Sequence, residues 1–362
     1  MNKLSLGYLE TKKANINLVA KSQTLGWQLT KYNIPEIWRS DKGANVKVAI
    51  IDTAMDLRHP DLSIKGGYDF VYRRNLDIYR REYPVQGHGS HVAGIVGAKN
   101  NTIGVVGVAP ECSIYSCVGL GNDGTGSYAG IINAIDWCIR NKMDIISMSL
   151  GGGTDTKAFY AAIRRAYDAK IPTICAGGNS AWAGHLDYPA CYNETIAVAA
   201  IAKNMKRAGF SSIGGNIDVA APGVDILSCV PENNYAFYSG TSMATPFVTG
   251  VVALMIAKHR KHGGNTPINN VEDIREHLIK TTTDANYSGQ DSFTGYGLIN
   301  PKKSLDYNSG MGVINATDLM RGNISVKINH RRLPQKGKVI KPKFTRVAFA
   351  RAIKRGIKRG RK

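Results

Sequence analysis

The chain has 362 residues, of which 43% are hydrophobic, and its formal net charge is +20. This length is enough for one large hydrophobic core or two medium ones, and the lack of about 18 consecutive apolar residues argues against a membrane span. The charge is uneven, because 16 of the 47 Lys and Arg residues lie in 321–362, which has no Asp or Glu. The other 31 basic and 27 acidic residues give positions 1–320 a net charge of +4. The composition therefore predicts a nearly neutral body followed by a basic tail.

The first 20 residues and the cysteines both bear on where the protein is located. Residues 1–20 lack a positively charged start followed by an apolar run and a small-residue cleavage site, so no secretory signal is predicted. We therefore expect a cytoplasmic protein; the alternatives are carriage in a viral particle or host cell, or export by a non-classical route. No C-x-x-C pair is present, and several cysteines lie in apolar runs, which favours free thiols in a reducing compartment. The six are Cys112, Cys117, Cys138, Cys175, Cys191 and Cys229.

Short apolar runs alternate with helical stretches along most of the chain. The runs read as strands at 46–51, 113–118, 144–150, 171–178 and 195–201, and the stretches between them include predicted helices at 128–141 and 156–169. This alternation predicts a parallel sheet with helices on both faces. In such sheets the functional site lies beyond the carboxyl ends of the strands. Asp52 and Asn179 directly follow predicted strands, and His88 and Ser242 stand at predicted helix starts.

The globular pattern fades after "GYGLINPKKSLDY" (295–307). We therefore place a domain boundary near Tyr307 and predict three parts: an N-terminal extension (1–20), one domain (21–307), and a linker with the basic tail (308–362). Disorder is one interpretation of this last part. A basic amphipathic helix near the C-terminus is the other.

Asp52, His88 and Ser242 are the three side-chain types that acyl-transfer chemistry needs. A serine hydroxyl is a poor nucleophile until a nearby imidazole accepts its proton, and a buried carboxylate orients that imidazole and stabilises its cation. The chain order Asp, His, Ser is one of the known solutions. Each residue alone also has an ordinary interpretation: a helix cap for Asp52 or Ser242, a loop histidine for His88, and a turn residue for Asn179.

Five sequence blocks strengthen the catalytic interpretation. "VAIIDTAMDLRHPDL", "GHGSHVAGIVGA", "DIISMSLGG", "AGGNS" and "SGTSMATPFVTG" resemble, in order and spacing, the subtilisin-like serine proteases, closest in style to the intracellular subtilisins. The resemblance covers roughly Gln23 to Tyr307. It implies an α/β fold: a three-layer subtilisin-like fold with a mostly parallel central sheet, helices on both faces, and a basic C-terminal tail in addition. By this resemblance Asp52 orients the His88 imidazole, and His88 is the general base and then the general acid. Ser242 is the nucleophile, and Asn179 donates a hydrogen bond from its side-chain amide to the oxyanion.

The same resemblance implies how a peptide substrate binds. Ser149, Leu150 and Gly151 resemble the segment that pairs with an extended peptide and forms one wall of the first specificity pocket. The opposite strand corresponds to 124–130, with Gly124, Gly126 and Tyr128; Tyr128 and Ile131 either line a further pocket or belong to the core. Asp187 matches the floor of the first pocket, where a carboxylate would favour Lys or Arg before the cut. The alternative is that Asp187 faces solvent.

Calcium is the cofactor that the resemblance implies. Asp61 and the loop "KNNTIGV" (99–105) resemble the structural calcium site of the family. The predicted ligands are hard oxygens, which suit calcium: the side chains of Gln23, Asp61 and Asn101 and the carbonyls of Lys99, Ile103 and Val105. The ion would stabilise the fold and take no part in the chemistry. The alternative is an ordinary Asn-rich turn.

The predicted function is a serine endopeptidase that hydrolyses protein or peptide substrates through an acyl-enzyme. The alternative is a catalytically silent protease fold that binds nucleic acid or another polyanion through its basic tail. If the tail is disordered, it would be a plain solvated segment without a binding partner. Residues 1–20 are short for a folding propeptide, although they could block the cleft. Thr245 and Phe247 depart from the family pattern, and we expect them to affect packing rather than chemistry.

Overall fold

The protein was analysed as a computed structural model, which describes residues 3–7, 10–13, 22–76, 86–181, 184–262, 268–285 and 289–307. The chain divides into two compact units, 1–328 and 329–362. The second unit lies outside the described residues, and so does everything after Tyr307. The predictions for the linker and the basic tail therefore stay predictions.

An eight-stranded sheet forms the centre of the first unit. Its order is β11-β10-β9-β8-β3-β6-β4-β5, and every neighbouring pair is parallel except β4 with β5. The strands are β3 (Lys47–Asp52), β4 (Ile64–Asp69), β5 (Arg74–Asn75), β6 (Ser113–Val118), β8 (Ile145–Met148), β9 (Thr173–Ala176), β10 (Ile196–Ile201) and β11 (Ile217–Pro222). The five predicted strands are all present, so the mostly parallel sheet is confirmed.

Helices cover both faces of this sheet, because alternate residues of its buried strands point to opposite sides. Within β3, Ile50 packs in the core beneath α3 (His88–Gly97) and α6 (Thr241–His262). Its neighbour Ile51 packs on the other face, beneath α4 (Tyr128–Arg140) and α5 (Lys157–Asp168). The three-layer α/β architecture is therefore confirmed. The shorter helices are α1 (Trp27–Lys31), α2 (Ile34–Ile37), α7 (Val271–Lys280) and α8 (Pro301–Asp306).

The two helices beneath the second face begin at capping side chains. The Ser127 hydroxyl accepts a hydrogen bond from the Gly130 N–H (3.1 Å), and the Thr156 hydroxyl accepts one from the Phe159 N–H (3.1 Å). Each satisfies a backbone donor that has no partner within the helix. The caps fix where α4 and α5 start.

Helix α6 is buried from Thr241 to Ala257, which is most of its length. By length and composition alone it is apolar enough to cross a membrane, but 94% of its most apolar window is buried inside the protein. It therefore has the character of a core helix, apolar on all sides. Phe247 is fully buried and lies 5.3 Å, between ring centroids, from Tyr32, and the Thr245 hydroxyl donates to the Thr241 carbonyl.

Two small sheets lie beside the central one, and both include residues of the N-terminal extension. In one, β1 (Lys3–Ser5) pairs antiparallel with β7 (Thr125–Ser127). In the other, β2 (Glu10–Lys13) pairs with β13 (Asn234–Ser239), which pairs with β12 (Ile226–Val230).

All six cysteines are free thiols, as the sequence predicts. Five of them are buried, and Cys191 is partly exposed. Burial disfavours the thiolate and raises the pKa of Cys112 to about 12. Such thiols behave as small apolar core residues.

Candidate active site

Asp52 and His88 meet at the carboxyl edge of the central sheet. Asp52 is the last residue of β3, His88 is the first residue of α3, and both side chains are fully buried. The imidazole Nδ1 lies 2.7 Å from Asp52 Oδ1. Because a carboxylate accepts hydrogen bonds, Nδ1 carries the hydrogen and the neutral ring presents a lone pair at Nε2. This is the tautomer that a general base needs.

Neighbouring backbone holds this pair in place. Asp52 Oδ1 also accepts the Thr53 N–H (2.7 Å), and the Thr53 hydroxyl accepts the Gly89 N–H (2.9 Å). A Cβ at Gly89 would lie 2.3 Å from the Thr53 carbonyl oxygen, so only glycine allows α3 to start this close to the end of β3.

Ser242 lies in the first turn of α6 and is buried. Its hydroxyl donates to the Ser149 carbonyl (3.2 Å), and the Ser149 hydroxyl donates to the Ser242 carbonyl (2.9 Å). That carbonyl needs a donor from outside the helix, because Pro246, four residues on, has no N–H. Among the described residues His88 Nε2 has no hydrogen-bond partner. The structure thus joins Asp52 to His88 and Ser242 to Ser149, while the imidazole–hydroxyl hydrogen bond is not formed.

Asn179 is anchored beside Ser242 through the preceding residue. Its Oδ1 accepts from both the backbone N–H (2.9 Å) and the hydroxyl (2.8 Å) of Thr241. The Thr241 hydroxyl in turn accepts the Gly178 N–H (3.3 Å). These contacts fix the amide orientation and direct Nδ2 toward the chain at Gly7, where an added Cβ would lie 3.1 Å away.

The two predicted substrate-binding segments are paired with the protein's own N-terminus. Ser5 exchanges two backbone hydrogen bonds with Gly151, each 2.9 Å, and the Leu6 N–H donates to the Gly124 carbonyl (3.0 Å). Leu4 is opposite Gly126 in the β1–β7 ladder. Residues 3–6 therefore lie as a strand between the segments that the sequence analysis assigned to a substrate.

Leu4 is the buried anchor of this strand. It is fully buried in the same core cluster as Ile131 and Leu150, and Tyr128 packs against that cluster. Tyr128 also donates its hydroxyl to the Thr154 carbonyl (2.6 Å). Tyr128 and Ile131 were predicted either to line a further pocket or to belong to the core. In the structure they belong to the apolar cluster that also contains Leu4, so the two alternatives describe the same place.

The other half of the groove is also covered by the chain. Glu10 of β2 is opposite Ser239, which precedes the nucleophile candidate by three residues. Lys12 Nζ lies 3.0 Å from Asp225 Oδ1 on the surface. Blocking of the cleft by residues 1–20 was one expectation from the sequence, but no individual contact of residues 3–13 was predicted; the alternation of Leu4 and Leu6 with polar residues was the available strand signal.

Asp187 lies between the two walls of the predicted first pocket. A Cβ at Gly178 would lie 2.7 Å from Asp187 Oδ2, and one at Gly151 would lie 2.6 Å from Asp187 Cβ. The residue is half-buried, and within the described ranges no Lys or Arg forms an ion pair with it. Burial raises the pKa of the Asp187 carboxyl, and nearby His185 lowers it to a smaller extent.

The six residues predicted to hold calcium are joined by contacts around Asp61, which is fully buried; Ile103 and Val105 take part in these contacts through their N–H groups. Asp61 Oδ1 accepts from Asn101 Nδ2 (2.8 Å), while Oδ2 accepts from the Val105 N–H (2.9 Å) and the Tyr235 hydroxyl (2.8 Å). The remaining contacts are Gln23 Nε2 to the Lys99 carbonyl (3.0 Å) and the Ile103 N–H to Asn101 Oδ1 (2.9 Å).

The chemistry of this donor set fits calcium. It offers one carboxylate, two amide oxygens and three backbone carbonyls, all hard oxygens. The amides of Gln23 and Asn101 direct nitrogen toward their neighbours, so each would have to turn over to present its oxygen. Over the described part of the chain, no group of three or more His, Cys, Asp or Glu side chains could hold a metal.

Comparison with known proteins identifies relatives of this chain. The model of the subtilase family matches residues 43–297. Subtilisin NAT of Bacillus subtilis subsp. natto is 44% identical over 261 residues, which cover 71% of this chain and 65% of that protein. A subtilisin of Bacillus pumilus is 43% identical over 261 residues, covering 71% of this chain and 90% of its own length. Subtilisin DY of Bacillus licheniformis is 40% identical over 283 residues, covering 75% and 97%.

The chain thus spans just under two thirds of the length of Subtilisin NAT and most of the length of the other two relatives. The family match alone covers well over half of the chain. These matches confirm the resemblance that the five sequence blocks indicate. The chain belongs to the subtilase family.

Proposed function

We propose that this protein is a serine endopeptidase in which Asp52, His88 and Ser242 act as a catalytic triad. The observation that supports it most is the 2.7 Å hydrogen bond between His88 Nδ1 and Asp52, which is buried and sets the required tautomer. The family membership and the names of the relatives agree with this proposal.

The proposed mechanism begins when the Ser242 hydroxyl leaves the Ser149 carbonyl and turns toward His88. Nε2 accepts the hydroxyl proton while Oγ attacks the carbonyl carbon of the scissile bond. Asn179 Nδ2 and the Ser242 N–H, in the first turn of α6, stabilise the negative oxygen that forms. His88 then gives the proton to the leaving amine, and water hydrolyses the acyl-enzyme by the reverse proton path.

Labelling by a serine-directed fluorophosphonate probe tests this proposal. We expect covalent labelling of the full chain that is lost in Ser242→Ala and strongly reduced in His88→Ala. Ser116→Ala is the matched serine control, because it removes a buried hydroxyl that has no hydrogen-bond partner among the described residues and leaves Ser149 and Ser242 unchanged. Absence of labelling in a correctly folded chain, with the groove opened as described below, would favour the catalytically silent alternative.

We also propose that Asp187 makes the first pocket select Lys or Arg. A half-buried carboxylate without a cationic partner is costly, and a basic substrate side chain supplies that partner in a charge-assisted contact. Such contacts contribute about 1.5–3 kcal/mol, so Asp187→Asn should lower the arginine-over-alanine ratio of kcat/KM by about 10- to 100-fold. Hydrolysis of matched peptides that differ only at that residue measures it. An unchanged ratio in Asp187→Asn would reject the assignment.

Calcium binding at Asp61 is the third element of the proposal. Gln23, Asp61, Asn101 and the carbonyls of Lys99, Ile103 and Val105 would hold the ion, which would stabilise the fold. We expect added Ca²⁺ to raise the thermal unfolding temperature of the full chain and Asp61→Asn to abolish that rise. Mg²⁺ should have a smaller effect, because it demands a tighter octahedral site. An equal rise in Asp61→Asn would place the ion elsewhere.

A further inference from the structure

We infer that Gly7 makes the bound N-terminal segment a poor substrate of the active site whose groove it fills. The inference rests on the proposed function, because it uses Ser242 as the nucleophile and Asp187 as the selective group of the first pocket. It assigns a specificity role to a residue of the bound N-terminal strand rather than to a residue of the pocket.

The register of the strand places Gly7 at the reacting position. Ser5 pairs with Gly151 on one side, Leu6 pairs with Gly124 on the other, and Gly7 is the next residue along the extended chain. Gly7 then faces Asn179 Nδ2, the proposed oxyanion donor. The carbonyl presented to Ser242 in this register is that of Gly7, and the bond that would break is Gly7–Tyr8.

The strand is held by contacts that do not depend on Gly7. Leu4 is fully buried, Ser5 and Leu6 contribute three backbone hydrogen bonds, and β2 fixes the chain again on the far side. These contacts lie on both sides of residue 7 and hold the segment in the groove without its side chain.

The pocket beside Gly7 lacks the group that would promote cleavage. The Asp187 carboxylate lies against Gly151, which pairs with Ser5, and against Gly178, which directly precedes the Asn179 that a Cβ at residue 7 would meet. Glycine supplies no side chain, so the contact with Asp187 is missing. Interactions that hold a substrate without favouring the transition state lower the free energy of the bound state and do not raise the rate of the chemical step. The segment is therefore well bound and slowly cut.

A basic side chain at position 7 should convert the segment from a slowly cut ligand of the groove to a substrate. In Gly7→Arg the guanidinium would pair with Asp187 while Ser242 Oγ bonds to the residue-7 carbonyl carbon. The C–N bond to Tyr8 breaks, and the hydroxyl proton passes through His88 to the Tyr8 amine. Water then cleaves the ester, which releases a residue-7 carboxylate and restores the hydroxyl.

The test compares full-length Gly7→Arg with Gly7→Ala. Both variants carry the Cβ that approaches Asn179 Nδ2, so the alanine variant is the matched control for any displacement of the strand. Intact mass measured over time should show loss of residues 1–7 and a new N-terminus at Tyr8, at least about tenfold faster in Gly7→Arg than in Gly7→Ala. Equal rates would overturn the inference.

Two further variants show that the cut is made by this site. Gly7→Arg with Ser242→Ala should remain intact, and Gly7→Arg with Asp187→Asn should return to the slow rate of Gly7→Ala. Cleavage at an unchanged rate in either double variant would overturn the inference.

Arginine and alanine peptides tested on a variant with an opened groove, Leu4→Asp, separate this inference from the proposed function. If that variant prefers the arginine peptide while Gly7→Arg stays uncut, the inference fails and the proposed function stands. If neither peptide is hydrolysed, the proposed function itself fails and the inference fails with it.

Discussion

The two halves of the groove hold the same N-terminal segment by different means. Before Gly7, β1 buries Leu4 completely and shares backbone hydrogen bonds with Gly151 and β7. After Gly7, β2 extends the β12–β13 sheet with exposed polar residues and a surface ion pair from Lys12. Apolar burial contributes far more free energy than a solvated ion pair. The free energy that holds the N-terminal segment in the groove therefore comes mainly from the first half, whereas both halves fix the pairing register of the segment.

The largest effect should follow from breaking the apolar anchor. Leu4→Asp places a carboxylate in the cluster with Ile131 and Leu150, where burial of an unpaired charge costs several kcal/mol. The strand should leave the groove, and fluorophosphonate labelling of Ser242 should become about 100-fold faster. Lys3→Asp, on the exposed neighbour in the same strand, is the control and should change little. Equal labelling rates for the two variants would contradict the assignment of Leu4 as the anchor.

A smaller effect on substrate preference is expected from the protonation of Asp187 in the first specificity pocket. Because burial raises the pKa of this carboxyl, it takes up a proton at a higher pH than an ordinary aspartate. Only the ionised form attracts a basic side chain, so acidification through that pKa should remove the arginine preference. In the Leu4→Asp variant the arginine-over-alanine ratio of kcat/KM should then fall by about tenfold or more.

Taking the ratio cancels changes in the chemical step itself, which affect both peptides alike. In Leu4→Asp combined with Asp187→Asn the ratio should be low and independent of pH. A pH-dependent ratio in that double variant would assign the titration to another group.

The smallest effect should come from the second half of the groove. Lys12→Ala removes an exposed pair with Asp225, and such solvated pairs contribute little to binding, so labelling should speed up by no more than about fivefold. Raising the salt concentration should reduce even this difference, because exposed pairs are screened. An effect as large as that of Leu4→Asp would contradict the conclusion that the first half contributes most of the free energy that holds the segment.

Much of the candidate site could be predicted because its residues sit at local signals. Asp52 ends an apolar run, while His88 and Ser242 begin helices, and the parallel sheet brings the carboxyl ends of its strands to one edge. The hydrogen bond from His88 to Asp52 follows from that topology. The catalytic roles of these residues were inferred from the resemblance of the five sequence blocks to the family.

The N-terminal strand could not be predicted in the same way. Lys3 pairs with Ser127, far along the chain, and nothing local in "KLSLG" selects that partner. The hydrogen-bond exchange between Ser149 and Ser242 likewise depends on where α6 meets the end of β8. Side-chain orientation is a third case, since the amides of Gln23 and Asn101 follow their local hydrogen-bond partners.

Cut-site mapping on one peptide tests the central claim most directly. The substrate contains a single arginine among apolar residues, and the enzyme is the Leu4→Asp variant, whose groove is open. Mass spectrometry should find one cut, directly after the arginine, and no cut when Ser242→Ala is added to the same variant. Hydrolysis that continues at the same rate without the Ser242 hydroxyl, or no hydrolysis by the folded, opened enzyme, would contradict the account.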